Sequence, residues 1–289
     1  ELAQGIVFPQ DTLNKRNQEK LGNDFIVGAG IYCLTTDELT ALNLSSNEEK
    51  LIKPYYTTDQ IKQYYVDPQN TKWIIYTDSS YKKENSLNDF PHIKTHLDKY
   101  KSIFTSDNKP YGLHRAREKR FFIGEKVIAV RKCPLKPIFA YSDGIEYVSA
   151  TFYIIKTDRV NLKYLTGLLN SQLIKYWLKN KGKMQGSNYQ LDKEPLQQIP
   201  IAVPSETQNL IAILIDHIRL LLGSNERAYD HTPNSFIARQ FESLINGCVY
   251  EIYFKSHMQE LGISITEHLT DYIETLKESR NNIQKVWTT

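Results

Sequence analysis

"KVIAVRKCPLKPIFAYSDGIEYVSATFYIIK", residues 126–156, is the stretch on which the fold turns. Its Val, Ile, Tyr and Phe content favours the pleated, half-buried surface of a sheet. Three strands are expected, over 126–131, 137–141 and 145–156. Ser142-Asp143-Gly144 supplies a hairpin turn between the last two.

Working upstream, "KWIIYT" (72–77) reads as a further buried strand. "NDFIVGAGIYCLTTDEL" (23–39) reads as a strand or bent hairpin that runs into a helix at Thr36–Asp37. "TTDQIKQYY" (57–65) looks helical behind a Thr cap. Residues 88–104 repeat apolar side chains at 93, 97, 100 and 104, a helix with Pro91 in its first turn. Downstream, 162–180 carries an apolar face at 165, 168, 169, 173, 176 and 177. It is followed by the polar, cationic, flexible "KNKGKMQGSNYQLDK" (179–193) and the Pro-broken, extended "LQQIPIAVP" (196–204). Beyond Pro204 come helices over 208–222, 236–254 and 265–287. Ser205 with Gln208, and Ser264 with Glu267, are spaced as capping boxes. The expected fold is α+β: a mixed, mainly antiparallel β region with packed helices over 1–203, then a helical subdomain over 204–289.

The composition is that of a soluble globular chain of 289 residues, 40% hydrophobic and 24% charged. No apolar run reaches the ~20 residues that span a bilayer, and no basic-then-apolar signal opens the chain. Cys33, Cys133 and Cys248 are odd in number and far apart, which argues against a disulfide framework and for a cytoplasmic setting. The first methionine is Met184, so Glu1 is expected to lie inside a longer polypeptide.

Catalytic patterns are sparse. Gly28 and Gly30 lack the third glycine of a nucleotide loop. His92 and His96 stand at i,i+4, but Ile93 occupies the place of the metalloprotease glutamate and no third ligand is evident. Asp37 with Glu48 and Lys50 meets a nuclease pattern too loose to carry a site. There is neither a Gly-Lys-Ser/Thr phosphate loop nor a Gly-x-Ser-x-Gly elbow. No catalytic set, metal site or cofactor site is expected within these residues.

Charge is where the sequence becomes specific. The net formal charge is −3 over residues 1–108, +7 over 109–136, +3 over 137–203 and −4 over 204–289. A basic middle between acidic flanks is the footprint of a polyanion binder. In "YGLHRAREKR" (111–120) one acid, Glu118, stands among four permanent cations. Arginine forks can hold phosphate or the O6/N7 edge of guanine. Arg115 and Arg117 are therefore expected on phosphates or guanine edges, with Tyr111 and His114 beside them. Lys119, Arg120 and Lys132 are expected along the backbone, and Arg131 continues the DNA-binding set. A second surface is offered by Lys179, Lys181, Lys183, Gln185, Ser187 and Asn188, in which lysines neutralise phosphates and amides can read adenine.

Three blocks give these surfaces a family context: "GIYCLTTDEL…LIKPYYTTDQIKQYY…KWIIYT", "FPHIKTHLDKYK…YGLHRAREKRFFIGEKVIAVRKC", and "LTGLLNSQLIKYWLKNKGKMQGSNYQLDKEPLQQIPI". In that order and spacing, over about 23–204, the chain resembles the C-terminal specificity region of N6-adenine DNA methyltransferases and of type IIG restriction–modification enzymes. "LLNS…IPIAVPSETQNLIAILI" is similar to the end of a target recognition domain in type I specificity subunits. Residues 236–254 resemble the helical extension of the same enzymes. The resemblance implies a domain that reads a short double-stranded DNA sequence, with an upstream methyltransferase domain of the same polypeptide that extrudes the target adenine. Its Asn/Asp-Pro-Pro-Tyr/Phe signature and methyl-donor loop are absent here, so S-adenosylmethionine is expected upstream and not in this chain. Competing readings are a protein-interaction module that docks a catalytic subunit through its helical tail, and an RNA binder that uses the interleaved Tyr and Phe.

Overall fold

The computed structural model describes residues 1–8, 10–224, 227–228 and 231–288, the side chains of 205 and 283–288 excepted. The strands are β1 (Leu2–Gln4), β2 (Cys33–Thr35), β3 (Ile52–Tyr56), β4 (Lys72–Ile75), β5 (Lys126–Val130), β6 (Lys132–Pro134), β7 (Phe139–Ser142), β8 (Tyr147–Val148), β9 (Phe152–Ile155), β10 (Lys183–Gln185) and β11 (Asn188–Gln190). Among the described residues they form three sheets, ordered β1-β9-β5-β7, β2-β4-β3-β8 and β10-β11-β6. Every pairing is antiparallel except β3 with β8. The fold is α+β, as expected.

Strand β5 explains why 126–156 governs the architecture. It lies between β9 and β7, and all five of its residues are buried, including Lys126. The Ser142-Asp143-Gly144 turn does not join two partners of one hairpin, however. β7 pairs with β5, whereas the two residues of β8 leave for the second sheet and pair with β3. The turn is held from inside: the Lys126 ammonium is ion-paired with buried Glu146 and donates to the carbonyls of Gly124 and Gly144, both at 3.0 Å. Tyr147 stacks on Phe122, with ring centroids 4.5 Å apart, and meets Tyr76 edge-on. One aromatic cluster thus joins β8 and the end of β4 to the segment that leads into β5.

The helices before the basic region are α1 (Lys15–Leu21), α2 (Thr36–Ala41) and α3 (Pro91–Asp98). Pro91 is the first residue of α3, where its missing N–H costs nothing. The buried Glu48 carboxylate caps this helix, accepting from the N–H groups of His92 (2.7 Å) and Ile93 (3.2 Å) and from Ser45. His92 Nδ1 also meets Glu48, at 2.8 Å, while His96 points away into the core against the Ile31 carbonyl. Residues 57–65 are not helical. The Thr57 hydroxyl and N–H do bond the Gln60 side chain, as at a helix start. Tyr64, however, has φ +76° and gives its N–H to Phe139, so tertiary pairing ends the turn.

The expected helix 162–180 is two helices, α4 (Leu162–Asn170) and α5 (Gln172–Lys181), broken at Ser171, whose hydroxyl caps α5. The stretch read as flexible is ordered as the β10–β11 hairpin because β11 pairs with β6. After α6 (Lys193–Gln197) come α7 (Ser205–Gly223), α8 (Asn234–Tyr253), α9 (Lys255–Glu260), α10 (Ile265–Thr270) and α11 (Ile273–Thr288). Ser264 Oγ bonds Glu267 at 3.0 Å. Pro204 precedes α7, and the Gln208 amide donates to its carbonyl; the Ser205 side chain lies outside the described residues. The apolar stripe of α7, with Leu210, Ile211, Leu214, Ile215 and Ile218 buried, packs on α4 at Gly167. A Cβ there would stand 2.7 Å from Ile211. The apolar stripe of α7 is therefore spent inside this chain. Residues 200–202 are clamped as well, by Tyr164 on the Ala202 carbonyl and Tyr253 on the Pro200 carbonyl.

Candidate nucleic-acid interface

The strap that follows β1 organises the basic face. Ile6 exchanges backbone hydrogen bonds with Val148 and Ala150, and Val7 pairs both ways with Arg115. Gly5 makes this approach possible: a Cβ there would lie 2.1 Å from the Ser149 carbonyl oxygen. Ile6, Val7 and Phe8 line one cleft, and Val7 pairs with Arg115 of another.

The first cleft, about 670 Å³, is lined by Arg115, Arg117 and Lys193 together with Gln4, Asn108 and Tyr153, and by the acids Asp78 and Glu118. Arg115 is exposed and has no ion pair among the described residues. Arg117 is held more firmly: its Nε donates to the Gly5 carbonyl at 3.3 Å, its own carbonyl accepts from Tyr76, and its φ is +69°, a left-handed conformation that is costly without glycine. Burial, and then Arg115 alongside, lower its affinity for the proton.

The second cleft, about 850 Å³, is lined by Arg131, Lys132, Lys183, Gln185 and Gln190 on one side and by Val7, Asp11 and Tyr55 on the other. The Arg131 guanidinium lies over the Tyr153 ring, 4.9 Å from its centroid, and Nη1 donates to the Ala150 carbonyl at 3.0 Å. That carbonyl also accepts from Gln4 of the first cleft. The two basic stretches that are separate in sequence therefore meet across one strap. Alternation sorts the hairpin: Lys183, Gln185 and Gln190 face this cleft, while Met184 and Tyr189 face a groove along α5 on its other side.

Several expected residues have other roles. Tyr111 is fully buried, its hydroxyl donates to Asp98 at 2.7 Å, and its carbonyl accepts from Tyr32 and Thr77, so it is a core anchor and leaves the surface set. Arg120 is committed to Glu1 and Glu118 and stacks on Phe121. His114 sits 3.5 Å from Asp107, half-buried. Lys119 is exposed over the Tyr76 ring. Lys132, Lys179, Lys181 and Lys183 are exposed without ion pairs among the described residues; Ser187 and Asn188 are exposed at the hairpin turn. Lys179 and Ser187 line the α5 groove instead of the second cleft. Lys193 and Gln190 were missed as site residues, because only the fold carries them to the clefts.

Glu48 is a helix cap, and among the described residues no three His, Cys, Asp or Glu side chains converge as a metal site. The three cysteines are buried, and burial raises their thiols, Cys133 to about 11. No described helix is long and apolar enough to cross a membrane.

Fold and site thus define an α+β domain whose distinguishing surface is a cationic, two-cleft face. Residues 53–201 match the TaqI-like C-terminal specificity domain, and the chain belongs to that family. It is 26% identical over 223 residues, 70% of its length, to a protein of Methanocaldococcus jannaschii named as a type II restriction enzyme and methyltransferase. The chain spans 18% of that relative. In fold it is similar to the type IIL restriction–modification enzyme MmeI, solved in complex with DNA, with a TM-score of 0.59 and 13% identity over 99% of this chain and 36% of the other. A weaker likeness, TM-score 0.43 with 12% identity over 88% of this chain and 31% of the other, is to the type IIG restriction endonuclease BpuSI. The family is the one that the three sequence blocks resemble.

Proposed function

We propose that this chain reads a short sequence in double-stranded DNA, as the specificity domain of a restriction–modification adenine methyltransferase. The observation that carries the reading is the convergence of Arg115, Arg117, Arg131, Lys132, Lys183 and Lys193 on two clefts that share one strap, in a chain of the TaqI-like specificity family. Arg115, Lys132 and Lys183 hold phosphates; the amide-bearing hairpin face reads bases. The catalytic domain, with its S-adenosylmethionine, lies upstream in the same polypeptide, and the chemistry of base extrusion and methyl transfer belongs to it. The rival reading, docking through the helical tail, cannot use the α7 stripe, which is already buried against α4.

The test is fluorescence anisotropy with a pool of duplex DNA across a salt series, beside Arg115→Ala and Lys183→Ala variants. Each substitution should weaken binding to all sequences about equally and reduce the salt slope by about one. Binding insensitive to salt, or to both substitutions, would refute it.

A further inference from the structure

From the second cleft a polar relay of side chains runs to Asp192. Gln185 Nε2 donates to Gln190 Oε1 at 2.6 Å, and Gln190 Nε2 donates to both Asp192 oxygens, at 3.1 and 3.2 Å. Arg131 Nη2 stands 3.9 Å from the same carboxylate. The direction of this relay follows from chemistry alone. A carboxylate only accepts, so Gln190 must turn its NH₂ to Asp192 and its carbonyl oxygen to Gln185, which must then answer with its own NH₂. Gln185 is exposed, and one of its N–H bonds is used; among the described residues the other N–H and the carbonyl oxygen have no partner. One donor beside one acceptor on a planar amide is the complement of adenine's N7 and N6–H₂ in the major groove.

We infer that Gln185 is the specificity-determining residue for one adenine of the recognised duplex, and that Gln190 and Asp192 are positioning residues that fix its amide. The inference rests on the reading of the chain as a duplex-recognition domain. The cations around the array suit it to a phosphate-flanked base: Lys183 precedes Gln185 by two residues on the same face, and Lys132 lies across from Gln190 in the β11–β6 pairing. Without Asp192 the Gln190 amide is free to turn over, and Gln185 loses its preference for the adenine orientation.

The experiment selects binding sites from a randomised duplex library with the 289-residue chain, then measures competition among single-base variants of the selected site. Gln185→Ala should lose ~5- to 150-fold of discrimination at one adenine position. Gln185→Glu should move the preference there to cytosine, whose N4 amino group donates to a carboxylate. Asp192→Asn should weaken discrimination at that position and at no other, a pattern that a purely structural role would not give. Selection that yields a site unchanged in all three variants overturns this inference and leaves duplex recognition standing. Selection that yields no duplex at all overturns both.

Discussion

Replacing Lys126 by Met tests the claim that a buried ion pair holds the turn between the two larger sheets. The Lys126 side chain is 0% exposed and that of Glu146 8%. Burial lowers the proton affinity of the lysine, with Glu146 opposing that shift. Removal of the ammonium leaves the Glu146 carboxylate buried without a counter-charge and takes one donor from the Gly124 carbonyl. The Gly144 carbonyl keeps the Gly124 N–H at 2.9 Å. Loss of one partner of such a pair costs about 3–5 kcal/mol, and about 2–4 °C of Tm per kcal/mol in a large domain makes a fall of roughly 6–20 °C. Urea unfolding followed by tryptophan fluorescence measures it, with an unchanged slope marking a true stability loss. The double variant Lys126→Met/Glu146→Leu removes both charges and should recover at least about 2 kcal/mol of the loss. A single-variant cost under about 1 kcal/mol, or a double variant no better than the single, would refute the argument.

Glu48 should make the fold acid-sensitive. Burial pushes its carboxyl up, but hydrogen bonds from Ser45, His92 and Ile93 outweigh this and hold it at about 2, below the ordinary 4.5. Its contribution is therefore complete above pH 4.5 and is lost as pH falls toward 2. It amounts to about 2 kcal/mol once solvent at the half-exposed His92 screens part of it. Glu48→Gln and the parent should differ by that amount at pH 6 and converge by about pH 2, as followed by denaturation at each pH. Gly5→Ala should cost about 1–3 kcal/mol, because the strap must back away from Ser149, and should weaken DNA binding along with stability. Tyr111→Phe, by contrast, should cost about 1–2 kcal/mol for the bond to Asp98 and leave DNA affinity unchanged; an affinity loss without a stability loss would return Tyr111 to the interface.

What could be read in the sequence was what local patterning controls. The strands at 72–77 and 126–131, Pro91 at a helix start and the apolar stripes of α7 and α8 all stand as their periodicity indicates. The failures are tertiary. Tyr147 and Val148 leave their neighbours for β3, about ninety residues earlier in the chain, and no local signal marks such a parallel pairing. Residues 183–190 look like a flexible cationic tract until β6 supplies a partner for β11. In the site, the density of Arg and Lys located the basic face. It could not show that Arg120 is neutralised by Glu1, some 119 residues away, or that Lys126 and Tyr111 are buried. Charge counts record which side chains a chain carries; only the fold decides which of them remain unpaired.

The two-sided hairpin also sets how this face can change over evolutionary time. Because successive residues of β10 alternate between cleft and groove, a one-residue insertion or deletion upstream of the turn would bring Met184 to the cleft and send Gln185 to the α5 side. Such a change would take the amide out of the cleft and put an apolar side chain in its place in one step. Substitutions at 183, 185 and 190, by contrast, leave the register and its backbone ladder intact. On the proposed reading, new binding preferences would be reached by exchanging side chains on a fixed frame.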